Sequence, residues 1–256
     1  MEKLNVAIVQ THLIWENPQA NRAMLEEKIQ NITSQVDLII LPEMFTTGFT
    51  MKPDSIDTEE GSATMEWMKS MAKTKDATLI GSMVYHEESK YFNRLLMVPP
   101  DGSVNKYDKK HTFTLAGEDK VYQAGTERLM LTYKGFKLCP MICYDLRFPV
   151  WARNTENYDV LIYVANWPKP RISAWDTLLQ ARAIENMSYC IGANRIGLDG
   201  LGHEYSGHSA VYDVLGQPLV YSEKEEILFT TLDKEHISSQ RNKLKFLNDR
   251  DEFSLK

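Results

Sequence analysis

The sequence has few of the features that mark secreted, membrane or metal-binding proteins. Its 256 residues contain only three cysteines, an odd and small number, whereas a secreted scaffold carries more of them in pairs. No apolar run approaches the roughly 18 residues of a membrane span, and the short amino-terminal apolar run does not fit a signal peptide. The six histidines lack metal-ligand spacing, so we expect no metal site. These absences predict a cytoplasmic protein with free thiols.

A basic excess is also missing. The 29 Lys and Arg residues against 35 Asp and Glu give a net charge of −6, which disfavours binding to nucleic acid or an anionic membrane. The 43% hydrophobic and 25% charged content is that of a globular protein. No repeat, low-complexity tract or linker is evident. We therefore expect a single domain over residues 1–256, with a core at about 4–232 and a polar tail at 233–256 that allows a short helix and a loose end.

Strand and helix patterns alternate along the chain, beginning with a strand at 6–9, an amphipathic helix at 17–35 and a strand at 37–41. Residues 108–127 are polar and irregular, and loops of that length are commonly functional or disordered. The alternation predicts an α/β protein with a mixed sheet, or two sheets, flanked by helices. Further helices are expected at 63–73, after Arg147 and at 174–187, and further strands at 77–85, 92–98, 104–107, 129–133, 136–143, 160–165, 189–193, 209–213, 217–221 and 227–232.

Cys143 has the most informative surroundings. An apolar strand ends there and the chain turns into a short helix at Pro149, which predicts a strand-to-helix elbow. Backbone N–H groups at such an elbow can favour a thiolate and hold an oxyanion. A lone cysteine is more often a buried packing residue, which is our interpretation of Cys139. Four extended residues place the two cysteines roughly 13 Å apart, which is too far for a disulfide.

Two other segments carry residues suited to chemistry. Glu43 follows a strand and opens onto a loop, although such an acid alone is most often solvated. Lys109 and Lys110 begin the long loop and alone would be surface lysines. A cysteine nucleophile needs a base, commonly a histidine. Here a carboxylate is the candidate.

Three segments together resemble the signature blocks of the nitrilase, or carbon–nitrogen hydrolase, superfamily. They occur in the family's order as Leu-Pro-Glu43, Tyr107-Asp-Lys109-Lys-His111 and Cys143-Tyr-Asp-Leu-Arg147-Phe. Any one block alone would be a weak signal. All three blocks occur in the family's order with α/β alternation between them, so a chance match to the family is improbable. The resemblance extends from Val6 to about Leu232.

That resemblance implies an α/β four-layer αββα sandwich of two mixed β-sheets flanked by helices, with no metal or organic cofactor. It implies Cys143 as the nucleophile that forms a thioester, Glu43 as the general base, and Lys109 as a stabiliser of the oxyanion. Lys110 is outside the family's register and is expected to face solvent. Glu118 matches a second glutamate of the family and would orient Lys109, although it could equally be solvated. The Tyr144 N–H would be a second oxyanion donor.

Within the superfamily, residues 42–50 and 143–154 look most like the omega-amidase branch, which hydrolyses small 2-oxo acid amides such as 2-oxoglutaramate and 2-oxosuccinamate. Arg147 is the leading partner for the substrate carboxylate, and spacing equally allows a structural arginine paired with Asp145. The aromatic residues that could wall the pocket, although such residues are more often core, are Phe45, Trp167 and Trp175. Arg182 and Glu185 fit an ordinary helical ion pair. The family also tends to pair through helices near the cysteine, which implies a homodimer.

Two other hypotheses stay open from the sequence. One is a different carbon–nitrogen hydrolase on the same scaffold: a nitrilase, an N-carbamoyl hydrolase or an aliphatic amidase. The other is a non-catalytic protein that binds a ligand or senses oxidants through Cys143. The presence of Glu43 and Lys109 counts against the second, because a thiol sensor needs neither.

Overall fold

Two six-stranded sheets form the centre of the protein in a computed structural model that describes residues 2–254. The strands of the first sheet are β1 Lys3–Gln10, β2 Leu38–Ile40, β3 Thr78–Glu87, β4 Lys90–Val98, β5 Asn105–Asp108 and β14 Glu226–Asp233. Those of the second are β6 Leu131–Tyr133, β7 Phe136–Ile142, β8 Val160–Ala165, β9 Tyr189–Asn194, β12 Ser209–Tyr212 and β13 Pro218–Ser222. The spatial orders are β14-β1-β2-β3-β4-β5 and β13-β12-β9-β8-β7-β6. A separate hairpin pairs β10 Ile196–Leu198 with β11 Glu204–Ser206.

The α-helices are α1 Pro18–Gln30, α2 Glu60–Lys75, α3 Pro149–Ala152, α4 Ile172–Asn186 and α5 Lys234–Leu244. Short 3-10 turns cover Pro53–Ser55, Thr114–Ala116, Glu118–Lys120, Cys143–Arg147, Lys169–Arg171 and Phe246–Asp249. No helix in residues 2–254 is long and apolar enough to cross a membrane.

The layering follows from the two-residue period of the strands. In β1, Val6 and Ile8 pack into a core shared with the second sheet, whereas Ala7 and Val9 pack against residues of α1 and α2. On the far side, α4 covers the second sheet through residues such as Leu179. The expected αββα sandwich is therefore confirmed.

Helix α1 begins where expected and ends earlier. The Asn17 side chain caps it by accepting the Ala20 N–H at 3.1 Å, and Pro18 occupies the first turn. The helix ends at Gln30, although Ile32 and Val36 continue its apolar spacing. Both are buried in the segment that leads to β2. Their spacing matched that of a helix although they lie outside it, which is why the predicted helix was too long.

The polar segment after residue 232 is held to the second sheet by α5. Asp233 caps this helix by accepting the Glu235 N–H at 2.8 Å, and Ile237 is buried. Arg241 donates to the carbonyl oxygens of Met187 at 2.8 Å and Tyr158 at 2.5 Å. The predicted polar tail thus contains a short helix, α5, that packs against the second sheet.

Strand direction brings the chemistry-bearing loops together. Strands β1, β2 and β3 are parallel, and β5 has the same direction because both it and β3 are antiparallel to β4. Strands β7, β8 and β9 are also parallel. Loops at the carboxyl ends of parallel strands meet at one edge of a sheet. Glu43, Lys109, Cys143 and Asn166 all lie in such loops.

Candidate active site

A buried lysine between two glutamates lies at this edge. Lys109 Nζ is 2.8 Å from Glu43 Oε1 and 2.9 Å from Glu118 Oε2, and all three side chains are almost completely buried. Burial alone would lower the pKa of Lys109, but the two carboxylates outweigh it and raise that pKa. The lysine is therefore a fixed ammonium ion.

Glu118 is not the solvated loop acid that the sequence allowed. Its Oε2 accepts the Phe113 N–H at 2.5 Å in addition to contacting Lys109. Burial raises the pKa of Glu118, Lys109 opposes the shift, and the charge of Glu43 adds to it. The long loop returns to the site at Gly125, whose N–H donates to Lys109 O at 2.9 Å. A Cβ on Gly125 would lie 2.1 Å from Asp108 O, so the close contact between these two backbone segments requires glycine.

Two asparagines that the sequence analysis missed hold the carboxylates in place. Asn93 Nδ2 donates to Glu43 Oε1 at 2.8 Å and to Glu118 Oε1 at 3.0 Å. The Asn166 N–H donates to Glu43 Oε2 at 2.8 Å, and its Nδ2 to Glu43 O at 2.6 Å. Two features of the sequence could have indicated them. Asn93 is an amide inside the apolar strand β4, and Asn166 is the first polar residue after β8. Such amides need a partner when they are buried.

Cys143 begins a 3-10 turn directly after β7, as the elbow prediction required. Its φ of 44° lies in the left-handed region, which is strained for a residue other than glycine. Met44, which follows Glu43, has a similar φ of 42°. The candidate nucleophile and the candidate base are thus both next to sharp turns at strand ends of facing sheets.

Asp145 fixes the elbow. This fully buried carboxylate accepts the Ile142 N–H at 3.0 Å, the His111 N–H at 3.0 Å and the Tyr107 hydroxyl at 2.7 Å. Its partners therefore come from the elbow, from strand β5 and from the long loop. The alternative ion pair between Asp145 and Arg147 is not formed.

Arg182 also supports the turn and is more than an ordinary surface ion-pair residue. Its guanidinium contacts Glu185 at 2.9 Å, but the side chain is buried and its Nη2 donates to Leu146 O at 2.6 Å. Helix α4 therefore holds the end of the 3-10 turn through this arginine.

The surroundings of Cys143 oppose ionisation of its thiol, whereas backbone N–H groups at an elbow can favour a thiolate. The sulfur faces a cavity, yet dense packing around it and the charge of Glu43 raise its pKa well above the ordinary value. Lys109 opposes this shift without cancelling it. Cys139 and Cys190 are fully buried, and burial raises the pKa of Cys139 to about 12. All three cysteines are free.

A cavity of about 580 Å³ opens over the cysteine, within the usual range for small-molecule sites. Arg147 lies on its wall with the guanidinium 4.9 Å from the ring centroid of Trp167. The other predicted residues that line it are Lys109, Cys143, Tyr144 and Trp167.

Two predicted pocket walls are core residues instead. Phe45 is fully buried, with its ring 5.9 Å from that of Trp67, and it does not line the cavity. Trp175 is also buried, behind Trp167, and donates from its indole nitrogen to His208 O at 2.8 Å. In both cases the side chain fills space between layers of the sandwich.

Lys110 is half-buried rather than fully solvent-facing, with its ammonium 5.3 Å from the Trp151 ring. It does not line the cavity, in contrast to Lys109. Within residues 2–254, no group of three or more His, Cys, Asp or Glu side chains is placed to hold a metal ion.

A four-layer αββα sandwich with a buried Glu-Lys-Glu cluster beside a cysteine defines a carbon–nitrogen hydrolase. The model of the carbon-nitrogen hydrolase family matches residues 5–242, and the chain belongs to this family. It is 40% identical over 257 residues to the omega-amidase YafV of Yersinia enterocolitica, with 100% of each chain covered. It is 31% identical to the 2-oxoglutaramate amidase of Bacillus subtilis, covering 96% of this chain and 97% of that relative. The crystal structure of a CN-hydrolase superfamily protein from Xanthomonas campestris, with an arsenic adduct in its active site, matches with a TM-score of 0.97, 39% identity and 100% of both chains.

Replacing Asp145 should destabilise the protein. Asp145→Ala leaves the buried N–H groups of Ile142 and His111 without their acceptor, so we expect the free energy of unfolding to fall by about 3 kcal/mol. Urea denaturation monitored by circular dichroism measures this change. Asp119→Ala, at an exposed position of the long loop, is the matched control and should stay within about 0.5 kcal/mol. Equal losses in the two variants would contradict the assignment.

Proposed function

We propose that this protein is an omega-amidase that hydrolyses the terminal amide of 2-oxo dicarboxylate monoamides, such as 2-oxoglutaramate and 2-oxosuccinamate, to the acid and ammonia. The observation that carries the proposal is that Lys109, which contacts Glu43 and Glu118, lines the same cavity as Cys143. Relatives named as an omega-amidase and a 2-oxoglutaramate amidase, matched over nearly the whole chain, support the substrate class.

In the first half-reaction, Cys143 attacks the amide carbon while Glu43 accepts the thiol proton. A base is required because the raised pKa of Cys143 keeps the resting thiol protonated. The ammonium of Lys109 and the N–H of Tyr144, at the start of a 3-10 turn, stabilise the oxyanion. Glu43 then returns the proton to the leaving nitrogen, ammonia departs and a thioester remains.

In the second half-reaction, Glu43 activates a water molecule that attacks the thioester. The resulting tetrahedral intermediate collapses and releases the acid, and Glu43 returns the proton taken from water to the departing sulfur, which restores the thiol. Glu118 acts through Lys109, because its two oxygens lie 3.1 and 2.9 Å from Nζ and fix the direction of the ammonium. The same lysine serves both oxyanions.

Arg147 is the proposed partner of the substrate carboxylate. Its guanidinium is exposed on the cavity wall, and within residues 2–254 no carboxylate lies at ion-pair distance from it. Asp145, the alternative partner, is occupied by other donors. A planar guanidinium can bind a carboxylate through two parallel hydrogen bonds.

The expected homodimer also stays a proposal. Val150 on α3 and Ile184 on α4 are 58% and 49% exposed on the helices next to the elbow. Exposed apolar side chains there suit the pairing through helices near the cysteine that the family resemblance implies.

An ammonia-release assay tests the function. We expect 2-oxoglutaramate and 2-oxosuccinamate to be hydrolysed faster than glutamine, a carbamoyl amino acid, a nitrile and an aliphatic amide. Cys143→Ala should abolish ammonia release and keep the circular dichroism spectrum. A preference for the nitrile, the carbamoyl compound or the aliphatic amide would favour another carbon–nitrogen hydrolase, and turnover by Cys143→Ala would rule out this nucleophile.

Adjacent lysines provide a matched pair. Lys109→Ala should reduce kcat by about 10³-fold because it removes an oxyanion donor and leaves two buried carboxylates unpaired. Lys110→Ala should change kcat less than threefold, since Lys110 lies outside the cavity. Thermal unfolding of both variants separates lost chemistry from lost folding. A reversed result would place the functional lysine one residue later.

Arg147→Lys tests the carboxylate contact while the positive charge is kept. Because an ammonium lacks the planar fork of a guanidinium, we expect the KM for 2-oxoglutaramate to rise about tenfold, equivalent to about 1.4 kcal/mol. Steady-state kinetics at constant ionic strength measure this change. An unchanged KM would assign Arg147 a structural role.

A further inference from the structure

We infer that Arg171 is a second carboxylate-binding residue of the cavity, and that Trp167 positions Arg147 and Arg171 to recognise the 2-oxo acid end of the substrate. This inference rests on the proposed function, because it names the groups that would select that substrate class.

The charges on the cavity wall divide into paired and unpaired groups. Lys109 is held by its two glutamates, and Lys169 lies 2.7 Å from Glu204. Asp199 is bound by the His203 side chain at 3.0 Å and also accepts backbone N–H groups. These charges are satisfied by the protein itself and leave little capacity for a ligand.

Arg147 and Arg171 differ from the other charged wall residues. In the part of the chain that the structure describes, neither guanidinium has a carboxylate at ion-pair distance. Neither donates a hydrogen bond to another described residue of the wall. Each lies over an aromatic ring, Arg147 at 4.9 Å from the Trp167 centroid and Arg171 at 5.2 Å from that of Phe113. An aromatic face steadies a guanidinium and leaves its N–H edge free for an anion.

Trp167 connects the two arginines. Its ring lies under the Arg147 guanidinium, and its indole N–H donates to Arg171 O at 2.8 Å. The tryptophan is itself fixed, since its backbone N–H donates to Asn194 Oδ1 at 2.8 Å. One buried side chain therefore contacts the guanidinium of Arg147 with its face and holds the backbone of Arg171 with its edge.

Arg171 is also linked to the catalytic cluster. The ring of Phe113, on which it lies, is 4.9 Å from that of Tyr144, the residue after the cysteine. The Phe113 N–H donates to Glu118, which contacts Lys109. The second arginine is thus connected to the residues around the reacting atoms through the Phe113 ring and the Phe113 N–H.

The chemistry of a 2-oxo acid fits two guanidinium groups. Its carboxylate and adjacent ketone present three acceptor oxygens, whereas one guanidinium edge satisfies two at most. A neutral aliphatic amide offers none of these acceptors. Unpaired cations on the wall therefore favour the 2-oxo acid amide over a neutral amide of similar length.

Arg171→Gln tests the inference, with Lys169→Gln as the matched control on the same wall. We expect Arg171→Gln to weaken binding of 2-oxoglutarate, measured by calorimetry, at least tenfold. It should also lower the ratio of kcat/KM for 2-oxoglutaramate to that for butanamide at least tenfold. Lys169→Gln, which loses a cation already paired with Glu204, should change both less than threefold. Arg171→Lys, which keeps the charge without the fork, should give intermediate values.

Trp167→Phe keeps an aromatic face for Arg147 and removes the indole donor to Arg171. We expect it to raise the KM for 2-oxoglutaramate with kcat changed much less, as befits a positioning residue. Thermal unfolding checks that each variant is folded. If the parent prefers 2-oxoglutaramate and Arg171→Gln keeps that preference and the affinity for 2-oxoglutarate, the inference is wrong and the function stands. If the parent itself has no such preference, the proposed function fails first.

Discussion

The interaction on which the site depends is the buried ammonium of Lys109 between Glu43 and Glu118. None of these three charges is stable alone in the interior, since an unpaired buried ion costs several kcal/mol. Each therefore requires the other two, and Asn93 and Asn166 supply the remaining hydrogen bonds. The first sheet provides Glu43 and Lys109, the long loop provides Glu118, and the second sheet provides Asn166. The charge cluster is thus also a contact between parts of the chain that are far apart in sequence.

Burial and the same charge cluster together raise the pKa of the nucleophile. Burial of Cys143 is the larger cause, and the two carboxylates add to the rise while the Lys109 ammonium opposes it. A protonated thiol reacts slowly with oxidants and alkylating agents. The proposed mechanism forms the thiolate only as Glu43 takes its proton during attack. This arrangement suits an amidase better than a thiol sensor, which depends on a reactive resting cysteine.

The sequence allowed us to predict the roles of residues that belong to local patterns. It did not reveal the roles of residues that depend on contacts with distant parts of the chain. The α/β alternation and the elbow at Cys143 follow from local patterns and turn residues, whereas the αββα layering and the importance of Glu43 and Lys109 followed from the resemblance to the nitrilase superfamily. Asn93 and the supporting roles of Asp145 and Arg182 depend on partners far along the chain, which no local pattern reveals. The same limit explains Phe45 and Trp175: an aromatic residue near a strand end can face either a cavity or a layer of the core, and only the packing decides.

The left-handed turns at Met44 and Cys143 have a consequence for how the site tolerates change. Each lies in the segment that follows a strand of a different sheet, so the separation between base and nucleophile depends on the thickness of the layer of side chains between the sheets. That layer, which contains Val6, Ile8, Leu138 and Ile162 among others, acts as a spacer for the reaction as well as a source of stability. Substitutions in it that keep the protein folded but alter the volume of the layer will change the alignment of the reacting groups. Interior residues that touch no substrate thereby become determinants of catalytic rate.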